Sequence, residues 1–189
     1  MKIKCDSFQE LISKTFHHKY YCDNSYEKPT WDEVIDNLDR NISNNLKYGF
    51  QDGFGFDIHD TRDIIKTYPL LKKIQNQFPD QKISSHLYVS LSKTSETLGK
   101  HRDVMDVVVW QCLGSTHWKI YDDILYEYDL KPGEFLYIPE RMYHDTYPIT
   151  PRASISFGIG NSPIAIQGWT FNNDMWTLNP DQIYTPEDF

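Results

Sequence analysis

Two side chains that can bind a metal ion stand two positions apart in the triplet His101-Arg102-Asp103. In an extended strand, residues two apart project from the same face, so the imidazole of His101 and the carboxylate of Asp103 can converge on one ion. The triplet alone is a weak signal, because a chain with seven histidines and this much aspartate produces about one such triplet by chance. Specificity has to come from the surrounding segments.

A second histidine follows a strand pattern further along the chain. Gly133 is a turn residue, an apolar strand pattern comes after it, and Pro139 ends that pattern before His144. Glycine, five residues, proline and then a histidine five positions later is similar to the second cupin motif. Asp103, followed eleven residues later by Gly114, resembles the first cupin motif.

Within the cupins, the run from His101 to Tyr121 resembles the Jumonji-C-like hydroxylases, in which an iron-binding pair is followed by a Gln-x-x-Gly turn into a Trp-containing strand. The resemblance covers about residues 84–160. It implies an α+β fold built on a double-stranded β-helix, the cupin or jelly-roll barrel, with N-terminal helices packed on it. It also implies iron(II), 2-oxoglutarate as co-substrate and molecular oxygen, with three metal ligands: His101, Asp103 and His144.

The ligand set favours this subclass of cupins. Many cupins have a further glutamate four or five positions beyond the second ligand, where this chain has Val107 and Val108. Three protein ligands therefore remain. Two histidines and one carboxylate on one face leave positions open, as a bidentate 2-oxo acid and oxygen require.

The distal carboxylate of 2-oxoglutarate needs a cation or a set of donors. The family often has Lys or Arg just after the glycine turn, where this chain has Thr116. Arg152, which forms Arg-x-Ser with Ser154, is our first candidate for this role, because a guanidinium binds a carboxylate in a bidentate way. Lys119 is the second candidate, although strand alternation would place it on the face opposite Thr116. Tyr88 and Thr116 could donate hydroxyl hydrogen bonds to the same carboxylate.

The resemblance predicts a hydroxylase that acts on a protein or peptide side chain or on a small molecule, and we lean towards a protein. Two alternatives stay open. Thr116 favours a cupin that binds iron, zinc or nickel and works without 2-oxoglutarate, as an isomerase or a cofactor-free dioxygenase. A binding module that has kept the barrel and lost the chemistry is the third reading, and the intact triad argues against it.

The elements that would position these residues divide the chain into two parts. The first eighty residues are predicted to be mainly helical support. Thr30 to Glu33 forms a capping box at the start of a helix over about 31–46. Further helices are predicted at Phe8–Phe16 and at Thr61–Phe78, the latter broken or offset by Pro69. The aromatic and glycine-rich segment 48–56 is predicted to be a packed loop or a mobile flap.

Short runs rich in β-branched and aromatic residues begin near residue 84 and are typical of strands. A chain with helices first and closely spaced strands second indicates a sandwich or barrel in its second half. The predicted strands are Ser85–Ser90, Val104–Cys112, His117–Tyr121, Ile124–Tyr128, Glu134–Ile138 and Ala153–Gly158.

Composition predicts one soluble domain over residues 1–189. The net charge of −8, without a Lys/Arg cluster, argues against a nucleic-acid partner. No apolar stretch approaches the ~20 residues of a membrane helix, and the start lacks the apolar middle of a signal peptide, so we expect an intracellular, cytoplasmic protein and no membrane partner. Cys112, in an apolar run, is predicted to be buried rather than nucleophilic. The segment 161–189 is predicted to cover the barrel or to form a homodimer contact.

Overall fold

The computed structural model describes residues 4–5, 8–12, 20–22, 25–43, 48–51, 53–58, 61, 64–160, 169–172 and 175–178. The helices are α1 (Phe8–Leu11), α2 (Trp31–Ser43) and α3 (Tyr68–Gln77). The strands are β1 (Lys4–Cys5), β2 (Tyr20–Cys22), β3 (Tyr48–Gln51), β4 (Gly55–Ile58), β5 (Ile83–Ser90), β6 (Asp106–Leu113), β7 (Thr116–Tyr121), β8 (Leu125–Leu130), β9 (Glu134–Ile138), β10 (Tyr143–Pro148), β11 (Arg152–Ile159), β12 (Trp169–Asn172) and β13 (Met175–Leu178).

Two sheets build the barrel. The large sheet has the strand order β1-β2-β9-β6-β11-β5-β4-β3, and the small sheet has the order β10-β7-β8. His101 joins the small sheet through an isolated antiparallel bridge to His144. From β5 to β11 the chain passes back and forth between the sheets, and pairing between these strands is antiparallel. This winding is that of a double-stranded β-helix, which confirms the predicted fold class.

The large sheet is covered on both faces. Strand β6 is buried along nearly its whole length, because Val108 and Trp110 pack on one side with residues of the helices, while Val107 and Val109 pack on the other with the small sheet. Such a strand reads as a continuous apolar run rather than an alternating one. The barrel interior therefore lies between the two sheets, and the helices lie outside the large sheet.

The helix predictions are confirmed in position and corrected in length. The capping box is present, since the Glu33 amide donates to Thr30 Oγ1 at 3.3 Å and the Thr30 amide to Glu33 Oε2 at 2.7 Å. Helix α3 begins only at Tyr68, so Pro69 lies in its first turn, where its missing N–H costs nothing. A short 3-10 turn occupies 65–67 instead of the predicted helix. The described part of the first helix ends at Leu11; residues 13–19 and 44–47 lie outside the described residues.

The segment 48–56 forms a strand pair, so the predicted packed loop was wrong, while a role as a mobile flap stays a prediction. Strands β3 and β4 pair with each other, and β4 pairs with β5, so the hairpin extends the large sheet. Gly53 and Phe54 form the turn with φ values of 75° and 66°, which matches the left-handed turns that fit the twist of a hairpin. The described part of the first eighty residues thus contributes four strands to the large sheet besides the helices.

The strand predictions are confirmed within two residues at each end, including β9 at its predicted bounds. The sequence patterns missed β10, which carries His144. Gly114, at the turn between β6 and β7, has a φ of 62°, and a Cβ there would overlap the carbonyl oxygen of Pro151. A glycine is therefore required at this passage from one sheet to the other.

Cys112 is buried and free, as predicted. None of the helices that the structure describes has the length and apolar character that crossing a membrane requires. In the tail, β12 and β13 pair as a hairpin; the rest of 161–189 lies outside the described residues, and its covering or dimerising role stays a prediction, as does the single domain over 1–189.

Candidate metal centre

The structure brings His101, Asp103 and His144 together. One ligand atom from each of the three residues lies within 4.8 Å of the others. Nε2 of His101 is 4.0 Å from Asp103 Oδ1, and Nε2 of His144 is 3.6 Å from Asp103 Oδ2. The bridge between the two histidines sets this geometry, with backbone N–H···O distances of 3.0 and 2.8 Å.

Backbone carbonyls orient both imidazoles. Nδ1 of His101 lies 2.8 Å from the carbonyl oxygen of Gly99, and Nδ1 of His144 lies 3.0 Å from that of Met142. A carbonyl oxygen can only accept, so each Nδ1 donates its proton to that oxygen, and Nε2 is the nitrogen directed at Asp103 and left to bind a metal. A hydrogen bond to the remote ring nitrogen is the usual support of a metal-binding histidine.

Burial keeps His144 neutral. Removal of the ring from water, followed by the charge of His101, lowers the pKa of His144, and Asp103 opposes this shift. A metal needs the neutral imidazole. Two neutral imidazole nitrogens and one carboxylate form a donor set that suits a divalent transition metal and leaves further positions open.

The turn after β9 packs against the segment that carries Asp103. The amide of Arg141 donates to the carbonyl oxygen of Asp103 at 2.6 Å, and the amide of Glu140 donates to Asp106 Oδ1 at 3.0 Å. Arg141 adopts a φ of 63°, an uncommon conformation for a residue with a side chain. These contacts join the two segments that supply the three candidate ligands.

A polar face of the large sheet lines one side of the barrel interior. Strand β11 pairs with β5 so that Arg152 faces Ser90, Ser154 faces Tyr88 and Ser156 faces His86. The residues between them, such as Leu87 and Ile155, belong to the apolar core under the helices. The polar set must therefore point to the other face, towards the small sheet. Its members are Ser84, His86, Tyr88, Ser90, Arg152, Ser154 and Ser156.

Arg152 is a buried cation, with only 3% of its surface exposed. Its Nε donates to Ser90 Oγ at 3.0 Å and one terminal nitrogen donates to the carbonyl oxygen of Tyr88 at 3.3 Å. Among the described residues, no carboxylate forms an ion pair with it. Burial lowers the pKa of Arg152 to about 10, so it remains a cation at neutral pH. An anion is the partner that such a site lacks.

The charges of both Asp103 and Arg152 act on Tyr88. Burial raises the pKa of Tyr88 well above its usual range, the charges of Asp103 and Asp57 raise it further, and Arg152 lowers it. The phenol therefore stays protonated and can donate. Its oxygen is 3.4 Å from Nδ1 of His86.

Thr116 and Ser154 are tied to a residue whose role the sequence did not reveal. Both hydroxyls donate to the side-chain oxygen of Gln111, at 2.8 and 2.7 Å. The side-chain nitrogen of Gln111 donates to the carbonyl oxygens of Leu113 and Gly114 at 2.7 and 3.3 Å. Thr116 lies on β7 of the small sheet, whereas Gln111 and Ser154 lie on β6 and β11 of the large sheet. These hydrogen bonds therefore link the two sheets.

Lys119, the second sequence candidate for the carboxylate, is not brought to the site. It follows Trp118 on β7, whose side chains alternate between buried and partly exposed positions. Its Nζ lies over the ring of Tyr147, 5.4 Å from the centroid, on the outer face of the small sheet. Lys119 lies outside because side chains alternate between the two faces of β7, as the sequence already indicated.

Sequence reasoning also missed Ser90 and Thr146. Ser90 holds Arg152, and Thr146 has a buried hydroxyl oxygen without a hydrogen-bond partner in the described structure. The signal for Ser90 was present, since every second residue of β5 from Ser84 to Ser90 is polar. Thr146 lies two positions after His144 and shares its face of β10.

Comparison with known proteins gives one family match. A model of the JmjC domain family matches residues 59–129, a segment shorter than half of the chain, and confirms the resemblance that the sequence predicts. The matched segment contains His101 and Asp103. No curated protein sequence matches the chain.

Several solved structures are similar at low identity. YcfD, a ribosomal oxygenase from Escherichia coli solved with cobalt and succinic acid, is 21% identical over 57% of this chain and 32% of that protein, with a TM-score of 0.49. The same protein with cobalt and 2-oxoglutarate gives 21% identity over 58% and 32%, with a TM-score of 0.48. A cupin superfamily protein from Desulfitobacterium hafniense gives 14% identity over 42% of this chain and 69% of that one, with a TM-score of 0.38. The match spans about a third of the length of YcfD.

Proposed function

We propose that this protein is an iron(II)- and 2-oxoglutarate-dependent oxygenase, with hydroxylation as its outcome. The JmjC domain match and the His101, Asp103, His144 group support the class. The observation that carries the use of a 2-oxo dicarboxylic acid is Arg152, a buried guanidinium without a carboxylate partner in the described structure, on the face that looks into the barrel.

His101, Asp103 and His144 would hold the metal. Iron(II), together with 2-oxoglutarate and oxygen, would supply the oxidising power for attack on an unreactive C–H bond. The protein's own part is to fix the ligands: the carbonyl oxygens of Gly99 and Met142 hold the imidazoles, and the peptide of Arg141 holds the Asp103 segment.

Arg152 would bind the distal carboxylate of the co-substrate. Ser90 and the Tyr88 carbonyl use two of its five N–H groups, and the remaining donors allow a bidentate contact. Tyr88 would donate its phenolic hydrogen to the same ligand. The hydroxyls of Thr116 and Ser154 donate to Gln111 instead. We therefore assign these two residues to the wall of the pocket and not to contact with the co-substrate.

The apolar half of the barrel would exclude water. Trp118, Ile120 and Val109 form part of one buried cluster inside the barrel. Ile120 pairs with His144 across the strands, and the ring centroids of Trp118 and His144 are 6.0 Å apart. A dry surface strengthens the contacts of Arg152 with an anion and prevents side reactions.

The substrate would be a protein or peptide side chain, or a small molecule. YcfD is described as a ribosomal oxygenase, which favours a protein substrate for this chain as well. We expect a soluble, intracellular protein and leave a homodimer through the tail as a prediction.

One observation favours a second candidate, a metal-dependent enzyme that works without 2-oxoglutarate. Thr116 stands where the family often has a cation, and Gln111 occupies its hydroxyl. In that case Arg152 would bind an anionic group of another substrate.

Turnover of labelled 2-oxoglutarate to succinate by anaerobically iron-loaded protein tests the proposal. We would compare the wild type with Asp103→Ala, Arg152→Ala and, as a matched control, Lys119→Ala, which removes a cation outside the barrel. We expect turnover in the wild type and the control, and loss in the other two variants. An iron-loaded wild type that fails to bind 2-oxoglutarate would overturn the proposal in favour of the second candidate.

A further inference from the structure

The segment that carries His101 and Asp103 has little backbone support. His101 pairs with His144 through a single bridge, whereas β10 pairs with β7 over six residue pairs. One further peptide hydrogen bond, from Arg141, reaches the carbonyl oxygen of Asp103. Two of the three candidate ligands therefore depend on side-chain contacts for their position.

Two cations on either side of His101 make such contacts. Because His101 and Asp103 point into the barrel, Lys100 and Arg102 point to the outer face of the small sheet. The Lys100 ammonium lies 3.9 Å from the ring centroid of Tyr121 and 5.4 Å from that of Tyr143. The Arg102 guanidinium lies 5.1 Å from the centroid of Tyr143.

The two tyrosines are fixed by regular strand pairing. Tyr143 precedes His144 on β10 and pairs directly with Tyr121 on β7. One ring, that of Tyr143, thus contacts both neighbours of His101 from the strand that carries the third ligand. A cation over a tyrosine ring is attracted by the negative face of that ring.

We propose that Tyr143, supported by Tyr121, is a positioning residue for the metal site, because its ring holds Lys100 and Arg102 and so keeps His101 and Asp103 aligned with His144. The proposal rests on the proposed metal site. Contacts outside the ligand set typically change metal affinity by about ten- to a hundredfold when they are removed.

Binding of Co²⁺ alone, measured against a competing chelator and by the visible absorption of the bound ion, tests this role. We expect Tyr143→Leu to weaken Co²⁺ binding about tenfold and to alter the absorption bands. Tyr143→Phe keeps the ring and should retain wild-type affinity. The double variant Lys100→Met, Arg102→Met removes the two cations over the Tyr143 ring and should weaken binding as Tyr143→Leu does.

Lys119→Ala is the matched control, since it removes a lysine over a tyrosine ring on the same face of the small sheet and leaves the hydrogen bond from Tyr147 to Asp145 in place. It should leave Co²⁺ affinity unchanged. Unfolding temperatures of the metal-free proteins separate positioning from general stability, and we expect small shifts for both Tyr143→Leu and Lys119→Ala.

Wild-type affinity and absorption in both Tyr143→Leu and the double variant would overturn the positioning role and leave the metal site intact. Equal loss of affinity in Lys119→Ala would also overturn it. A wild type that does not bind Co²⁺ would instead overturn the metal site, and the positioning role with it.

Discussion

The two halves of the barrel interior are built from the same kind of strand and have opposite character. On one side, β6 and β9 of the large sheet face β7 and β8 with apolar residues such as Val109, Leu136 and Ile120. On the other side, β5 and β11 present hydroxyls, an imidazole and a guanidinium. Burial of apolar surface stabilises the first half, whereas the second half removes polar groups from water and offsets that cost only in part by hydrogen bonds. The first half holds the fold, and the second is suited to a ligand.

The largest effect is expected in the apolar half. Leu136 is fully buried between the sheets, so Leu136→Ala should lower the free energy of unfolding by about 3 kcal/mol, through lost transfer energy and the cavity left behind. Urea denaturation measures this. The control Ser156→Ala, in the polar half, should change it by less than about 0.5 kcal/mol; equal losses would remove the distinction between the halves.

Arg152→Met should separate binding from stability. The variant should lower the affinity of the iron-loaded protein for 2-oxoglutarate about a hundredfold, which corresponds to about 2.7 kcal/mol. Calorimetry without oxygen measures this affinity. A loss of less than about threefold would show that another residue binds the distal carboxylate.

The same variant should leave the metal-free protein as stable as the wild type or more stable. The pKa of Arg152 is lower in the folded chain, about 10 against an ordinary 12.5, so the folded state binds the proton less well than the unfolded state. Burial of the cation therefore destabilises the fold at every pH below about 10, and the penalty fades above it. Denaturation at neutral pH should show the gain, and a clear loss of stability would contradict it.

Thr116→Val probes the boundary between the halves. The substitution removes the donor to Gln111 and the acceptor of the Trp118 indole N–H, which is 2.9 Å away. Unfolding free energy should fall by about 1–2 kcal/mol, because a buried donor loses its partner. Affinity for 2-oxoglutarate should stay within about twofold of the wild type; a larger loss in the calorimeter would mean that Thr116 contacts the co-substrate.

The smallest effect is expected outside the barrel. Lys119→Ala removes a cation over the ring of Tyr147, so stability should change by less than about 0.5 kcal/mol and co-substrate affinity not at all. A measurable loss of 2-oxoglutarate binding would place Lys119 in the site and reverse the assignment of the two faces of β7.

The elements that could be predicted are those with strong local signals. The capping box located α2, and β9 matched its predicted bounds because a turn glycine and a proline flank an apolar run. Strand β10 was missed because Tyr143–Pro148 is mostly polar and aromatic and lacks the apolar alternation that marks a strand. The hairpin of β3 and β4 was missed because its glycines resemble a loop and its pairing with β5 is a long-range contact.

The candidate site also contains residues that local motifs predict and contacts that only the folded structure reveals. His101, Asp103 and His144 could be singled out by motif spacing, and the structure brings their ligand atoms together. The commitment of Thr116 and Ser154 to Gln111 could not be predicted, because it depends on which rotamers meet across two sheets. That no described carboxylate pairs with Arg152 is likewise seen only when the neighbours of its guanidinium are known.

Strand β11 has a consequence for how the chain acquires its shape during synthesis. It is the last barrel strand in the sequence, yet it lies between β5 and β6 in the large sheet. Its first residue, Arg152, pairs with Ser90, which precedes it by more than sixty positions in the chain. Until β11 has left the ribosome, the large sheet has a gap between β5 and β6. The barrel therefore cannot close strand by strand during synthesis. Ordering of the barrel and creation of the pocket should therefore coincide, in one slow, late and cooperative event.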